Sequence, residues 1–223
     1  MFRGFVDNSL HLFGDLQYRY VSYRAWGTND NAVWGDDGSV TMQPIDVDKQ
    51  YDFFNPRLGI SYIHHNHNVF ASVAVAHREP TRSDFTDRHM FAADDSYPEP
   101  ERLVDFELGY TYTSPRLSLG ANLYYMLYHN QLVATGMVND GDDALNVNVD
   151  KSYRRGIELM AKWKTTKWLT LSGNVTLSQN NIEDYVDELR DSPTYGQNLG
   201  DMTISYSPSV VGSVSADFHV KGF

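Results

Sequence analysis

The sequence contains no cysteine, which excludes disulfides, thiolate zinc sites and a cysteine nucleophile. It has no run of ~18 apolar residues, and its mean hydropathy is −0.46, so a helical membrane span is excluded. Basic charge is scarce: Lys and Arg total 18 against 29 Asp and Glu, a formal net charge of −11. A nucleic-acid partner, which needs a basic face, is therefore not expected. The opening Met1-Phe2-Arg3-Gly4-Phe5-Val6-Asp7-Asn8 lacks the apolar stretch of a secretory leader, so an exported protein is expected to be represented here without its true N-terminus. No Gly-rich phosphate loop, G-x-S-x-G elbow or H-E-x-x-H helix occurs, so neither an enzyme nor a cofactor is expected. A transmembrane β-barrel survives all of these absences, because its strands need only ~10 residues and half of those can be polar.

What is present is alternation with period 2. From Leu103 to Thr113 the even positions read Val104, Phe106, Leu108, Tyr110 and Tyr112, while the odd ones include Asp105, Glu107 and Gly109. The same pattern runs over Leu117–Tyr128, Gly156–Trp163 and Leu169–Ser178, and it marks strands with one apolar and one polar face. Weaker versions at 10–26, 51–63, 69–78 and 203–218 bring the count to about eight, and Met1–Val6 reads as the end of a ninth. No amphipathic helix longer than ten residues is expected; Tyr185–Arg190 could hold one turn.

Connections alternate in length. Val6–Ser9, His64–Asn68, Ser114–Arg116, Thr165–Lys167 and His219–Gly222 are short, whereas 27–50, 79–102, 134–151 and 179–202 read as long loops. Those four stretches hold 22 of the 29 acids but 6 of the 18 bases, so the negative charge gathers at one end of an up-and-down sheet. Sorting of this kind fits an outer-membrane barrel, with short turns on one side and long loops on the other. The polar faces favour Arg, Asp, Asn, Gln, Ser and Tyr over Lys and Glu, as a wet lumen would. The apolar faces end near the short turns in Tyr62, Tyr112, Trp163 and Phe218, as an interfacial girdle would.

Phe54-Asn55-Pro56-Arg57-Leu58-Gly59-Ile60-Ser61-Tyr62 reads as an "NPRLGxSY" strand, and Val69 through Ser83 as a strand that runs up to an "R-x-P-[ST]" loop; both resemble segments of TonB-dependent outer-membrane receptors. Pro98-Glu99 with Phe106-Glu107-Leu108-Gly109-Tyr110 resembles the "PE…ELGY" return. Leu123-Tyr124-Tyr125-Met126, Tyr153-Arg154-Arg155-Gly156-Ile157-Glu158-Leu159 and Ser205-Tyr206-Ser207-Pro208 continue the series in order. The resemblance implies an all-β, antiparallel meander: a partial transmembrane barrel of about eight out of 22 strands, spanning 1–223, with the family's plug domain and TonB box absent. It implies import of a scarce nutrient chelate, a ferric siderophore first. The implied partners are outer-membrane lipid, a plug of the parent protein and the TonB system. Two other readings stand beside it: a self-contained eight-stranded barrel serving as adhesin or anchor, and a soluble carbohydrate-binding β-protein.

Candidate lumen, plug or substrate contacts are Arg57, Arg78, Glu107, Tyr124, Tyr128, Arg154 and Glu158, where arginine forks suit anionic chelates and carboxylates. Asp140, Asp142 and Asp143 concentrate oxygen ligands as calcium sites do, without EF-hand spacing, so a polar loop tip is the expectation. His64-His65-Asn66-His67 could draw a transition metal, but a solvated turn is expected. Asp105 and Glu107 share a face at ~7 Å, a spacing glycosidases can use; wall contacts are expected instead.

Overall fold

The computed structural model describes residues 2–5, 9–34, 37–86, 97–138, 144–187 and 192–219. The strands are β1 (Phe2–Phe5), β2 (Leu10–Trp34), β3 (Val40–His64), β4 (His67–Arg78), β5 (Glu101–Thr113), β6 (Leu117–Val138), β7 (Ala144–Lys164), β8 (Leu169–Ile182), β9 (Met202–Thr203) and β10 (Val210–Phe218). One five-residue helix, α1 (Arg82–Thr86), lies between β4 and β5. All strands join a single antiparallel sheet in the order β1-β2-β3-β4-β5-β6-β7-β8-β10, with β9 on β8. No pairing between β1 and β10 closes it among the described residues, so the small self-contained barrel is not what this chain forms.

Register turns the alternation into a two-sided wall. Leu58, Val73, Phe106, Tyr125 and Arg155 lie in successive register on one side, and so do Tyr62, Val69, Tyr110, Ala121, Leu159 and Val175. The opposite side carries the row Asp15–Arg57–Ala74–Asp105–Met126–Arg154–Asn180. Apolar side chains are the more exposed set: Leu16 is 63% accessible, Leu58 59% and Leu108 50%, while Asp105, Glu107 and Asn122 are half-buried. Among the described residues, no second protein layer covers the apolar side. That inversion of the soluble-protein pattern is what lipid contact demands. At the short-turn end Trp168 stacks on Phe218 at 6.0 Å and Tyr110 meets His67 Nδ1 at 2.8 Å.

The long connections differ from expectation. Stretches 27–50 and 134–151, read as loops, are mostly strand: β2 and β3 pair out to Trp34↔Val40, and β6 and β7 to Val138↔Ala144. Both hairpins rise above the sheet as two-stranded ribbons, because β3–β4 pairing stops at Arg57↔Ala74 and β5–β6 pairing at Arg102↔His129. Pro56 explains the first fork. Ile63 N–H bonds to Ser9 on the β2 side, so even-numbered residues of β3 direct their N–H groups toward β4, and Pro56 has none to give. The last strand starts at Val210 instead of 203. Helix α1 was not expected; Thr81 begins it, with its N–H and Oγ1 both donating to Asp84 Oδ2 at 2.7 Å, much like a capping box. Of Tyr185–Arg190, the described part forms a bridge, Val186↔Asn198, and no helical turn.

The β4–β5 connection braces the two ribbons. On one side Phe85, buried, stacks on Tyr23 at 5.1 Å, Lys49 Nζ lies 5.0 Å over the Tyr97 ring, and Tyr97 Oη donates to the Asp46 carbonyl. On the other, Asn146 donates to Asp84 Oδ1 at 2.9 Å, and Asn148 exchanges bonds of 2.8 and 3.0 Å with the Glu99 backbone. Val133, Val147, Val149, Ile182 and Ile204 form a small buried core beside it.

Candidate functional site in the polar wall

Pleat parity puts all seven candidate residues on the polar side of the sheet. Glu107 pairs with Tyr124 across β5–β6, Tyr124 with Gly156 across β6–β7, and Asn122 with Glu158. Gly156 matters here: a Cβ at that position would lie 2.4 Å from the Leu177 carbonyl and 2.6 Å from the Tyr124 hydroxyl, so its missing side chain is the space Tyr124 occupies.

Four of the seven, Glu107, Tyr124, Arg154 and Glu158, converge on one hollow of ≈ 340 Å³. Its other wall comes from the chain returning to β10, where Tyr206, Ser207 and Pro208 fold back over β8. Arg154 Nη1 donates to Ser207 Oγ at 3.0 Å, and Ser178 Oγ to the Pro208 carbonyl at 3.1 Å. Tyr206 sits at φ +55° and its side chain is almost fully exposed, a backbone conformation that a non-glycine residue holds only under constraint. Carboxylates, a guanidinium and phenols therefore face one another across a polar wall, an arrangement able to grip a polar ligand or a protein loop.

The other three candidates stand apart from the hollow. Arg57 lies two strands away from Glu107, across Ala74 and Asp105, with its guanidinium 5.4 Å over the Phe13 ring. Tyr128 lies above the hollow, with the Arg154 guanidinium 6.0 Å from its ring. Arg78 is held by Glu101 at 2.6 Å; the same buried carboxylate oxygen accepts the Leu132 N–H at 2.6 Å, where β6 outruns β5. Asp105 and Glu107 share the polar face as expected, and Glu158, an acid on another strand that linear spacing did not connect to them, borders the same hollow as Glu107. Asp140, Asp142 and Asp143 lie outside the described residues. Around His64, His65 and His67 no metal-holding group occurs among the described residues; His64 and His65 meet edge to face at 4.1 Å in the turn.

One further polar cluster went unread in the sequence. Arg19 forks onto Glu79 at 2.8 and 2.5 Å, bonds the His77 carbonyl at 3.1 Å and lies 4.9 Å over Phe53. The guanidinium holds the Glu79 carboxyl below the usual carboxylate range. Sixty residues separate the pair, and no local signal joins them.

Comparison with known proteins agrees with this architecture. Residues 4–222 match the family described as TonB dependent receptor-like, beta-barrel, and the chain belongs to that family of outer-membrane receptors. Among solved structures it is similar to the ferric-catecholate import receptor Fiu from E. coli (TM-score 0.64, 18% identity, 96% of this chain and 30% of that one). It is also similar to the siderophore receptor PiuA from Acinetobacter baumannii (0.66, 16%, 96% and 29%) and to the copper transporter OprC (0.66, 15%, 81% and 28%). The chain thus spans less than a third of each. No curated protein matches.

Proposed function

We propose that this chain supplies part of the wall of a receptor that imports a scarce metal chelate across the outer membrane, a ferric siderophore being the first candidate. The long acidic end faces outward from the cell, the polar wall faces a plug domain of the parent protein, and the TonB system supplies the energy. The observation that carries this reading is the hollow in which Glu107, Tyr124, Arg154 and Glu158 face the inturned Tyr206. Its guanidinium and phenols suit an oxygen-rich chelate, and its position on the polar side of the wall supports that reading. Fiu and PiuA are named for ferric catecholates and siderophores, which supports that substrate class, while OprC is named for copper.

The test is uptake of a radiolabelled ferric catecholate by cells carrying the intact receptor, with and without a protonophore. Arg154→Gln is expected to lower uptake roughly 10-fold, the loss of one charge-assisted contact of about 1.4 kcal/mol, with the receptor's abundance unchanged. Uptake that ignores both the substitution and the protonophore would overturn the reading.

A further inference from the structure

At the short-turn end the polar wall changes sign. Lys162 and Lys164 alternate with Trp163 on β7, so they leave the sheet on its polar side while the indole leaves on the lipid side. Register sets Lys162 between Ser118 and Ser172, with Ser215 one strand further on, and Lys164 beside Thr170. Arg116 stands in the turn before β6 and Lys167 in the turn after β7; the Arg116 carbonyl accepts the Lys164 N–H at 2.8 Å. All four bases are exposed.

Two observations distinguish them from ordinary solvated charge. Among the described residues, no carboxylate lies within ion-pair distance of any of the four. Asp217, the acid in register with Lys164, is two strands away across Thr170, at ~10 Å. Lipid headgroups cannot supply the missing charge at Lys162 and Lys164, because the wall itself stands between these side chains and the bilayer. The turns are also held in shape. Ser114 Oγ donates to the Leu117 carbonyl at 3.0 Å and accepts its N–H at 3.1 Å, and Thr165 Oγ1 donates to the Leu169 carbonyl at 3.0 Å. Cations fixed on such a frame without counter-charge call for an anion from outside. The spacing says which kind. Lys162 and Lys164 are ~7 Å apart, the repeat between side chains on one face of an extended peptide. Beside Lys162 the hydroxyls of Ser172 and Ser215, 2.7 Å apart, offer hydrogen bonds to the peptide groups between the acids.

We propose that Arg116, Lys162, Lys164 and Lys167 dock an extended acidic segment of a periplasmic partner protein, with acids at alternate positions facing Lys162 and Lys164. The side of the membrane rests on the orientation proposed above. The test uses the intact receptor in nanodiscs, with a fluorescent peptide of alternating Glu and Ser as the probe, read by anisotropy. Its Lys–Ser counterpart is expected not to bind. Lys162→Gln with Lys164→Gln is expected to weaken binding of the Glu–Ser peptide roughly 10-fold, from two exposed charge pairs. Lys162→Arg with Lys164→Arg keeps the affinity, and so does Lys151→Gln at the opposite end. Unchanged affinity in the Gln variant overturns the proposal, and so does displacement of the peptide by an equal concentration of inorganic phosphate, which would mark a site for small anions. No binding to wild type overturns it as well; resistance of Lys164→Cys to maleimide in the nanodisc then identifies the parent protein's own chain as the occupant. Orientation is read separately: in cells, Lys164→Cys must react with an impermeant maleimide only after the outer membrane is permeabilised. Labelling of intact cells overturns the orientation, and with it the periplasmic source of the partner, whereas lost peptide binding with the expected labelling sinks only the docking site.

Discussion

The lower sheet and the upper connections hold together in opposite ways. Below the fork at Pro56, neighbouring strands repeat one rule, apolar outward and polar inward, and backbone ladders do most of the joining. Above it, two bare ribbons depend on a few side chains from the β4–β5 connection: Phe85 against Tyr23, Tyr97 against Asp46 and Asn148 against Glu99. The difference teaches that a membrane wall can be built from a repeated pattern, because lipid supplies a uniform partner. Structure standing in water has to be tied by named pairs.

That contrast can be broken from either side. The largest expected effect is on the wall: Leu108→Arg puts a cation in the middle of the apolar face and is expected to cost about 3 kcal/mol, measured as the urea midpoint of the intact protein in lipid vesicles. An unchanged midpoint would mean that this face does not meet lipid. Phe85→Ala attacks the braces instead. Removing a buried ring costs roughly 3 kcal/mol locally, so the expected outcome is faster proteolysis at 79–86, while the wall keeps its unfolding midpoint. If both regions loosen together, they form one cooperative unit and the contrast fails.

The smallest effect is on pH dependence. Because Arg19 lowers the Glu79 pKa in the folded state, the pair's contribution is complete above the unfolded carboxyl's value of about 4.3. It fades as pH falls from there through the lower folded value. Glu79→Gln is therefore expected to flatten the acid limb of brace stability, followed by hydrogen exchange near His77 between pH 5 and 3, and to leave neutral pH nearly unaffected.

How much was legible follows from the same physics. Segments such as 103–113 and 169–178 were readable because lipid on one side and a polar lumen on the other impose period 2. Stretches 27–50 and 134–151 read as loops because their acids and turn residues outweigh short apolar alternations such as Val147 and Val149, which are buried, although most of each stretch is strand. Glu107, Tyr124, Arg154 and Glu158 could be assigned to one face by parity alone, and their meeting in one hollow followed once register was fixed. Tyr206 could not be placed, since its position depends on the chain folding back across β8. Arg19 and Glu79 meet only because β2 and the end of β4 rise to the same height.

Pro56 has a consequence beyond ending a ladder. Where a strand stops bonding to its neighbour, the upper edge of the sheet gains a notch, and the missing N–H of one imino acid stands at its foot. Substituting Ala there would give the seam one more tooth, and the zipper could climb until Phe53 and His77 were forced into line. The height at which the sheet divides would then be written in a single ring.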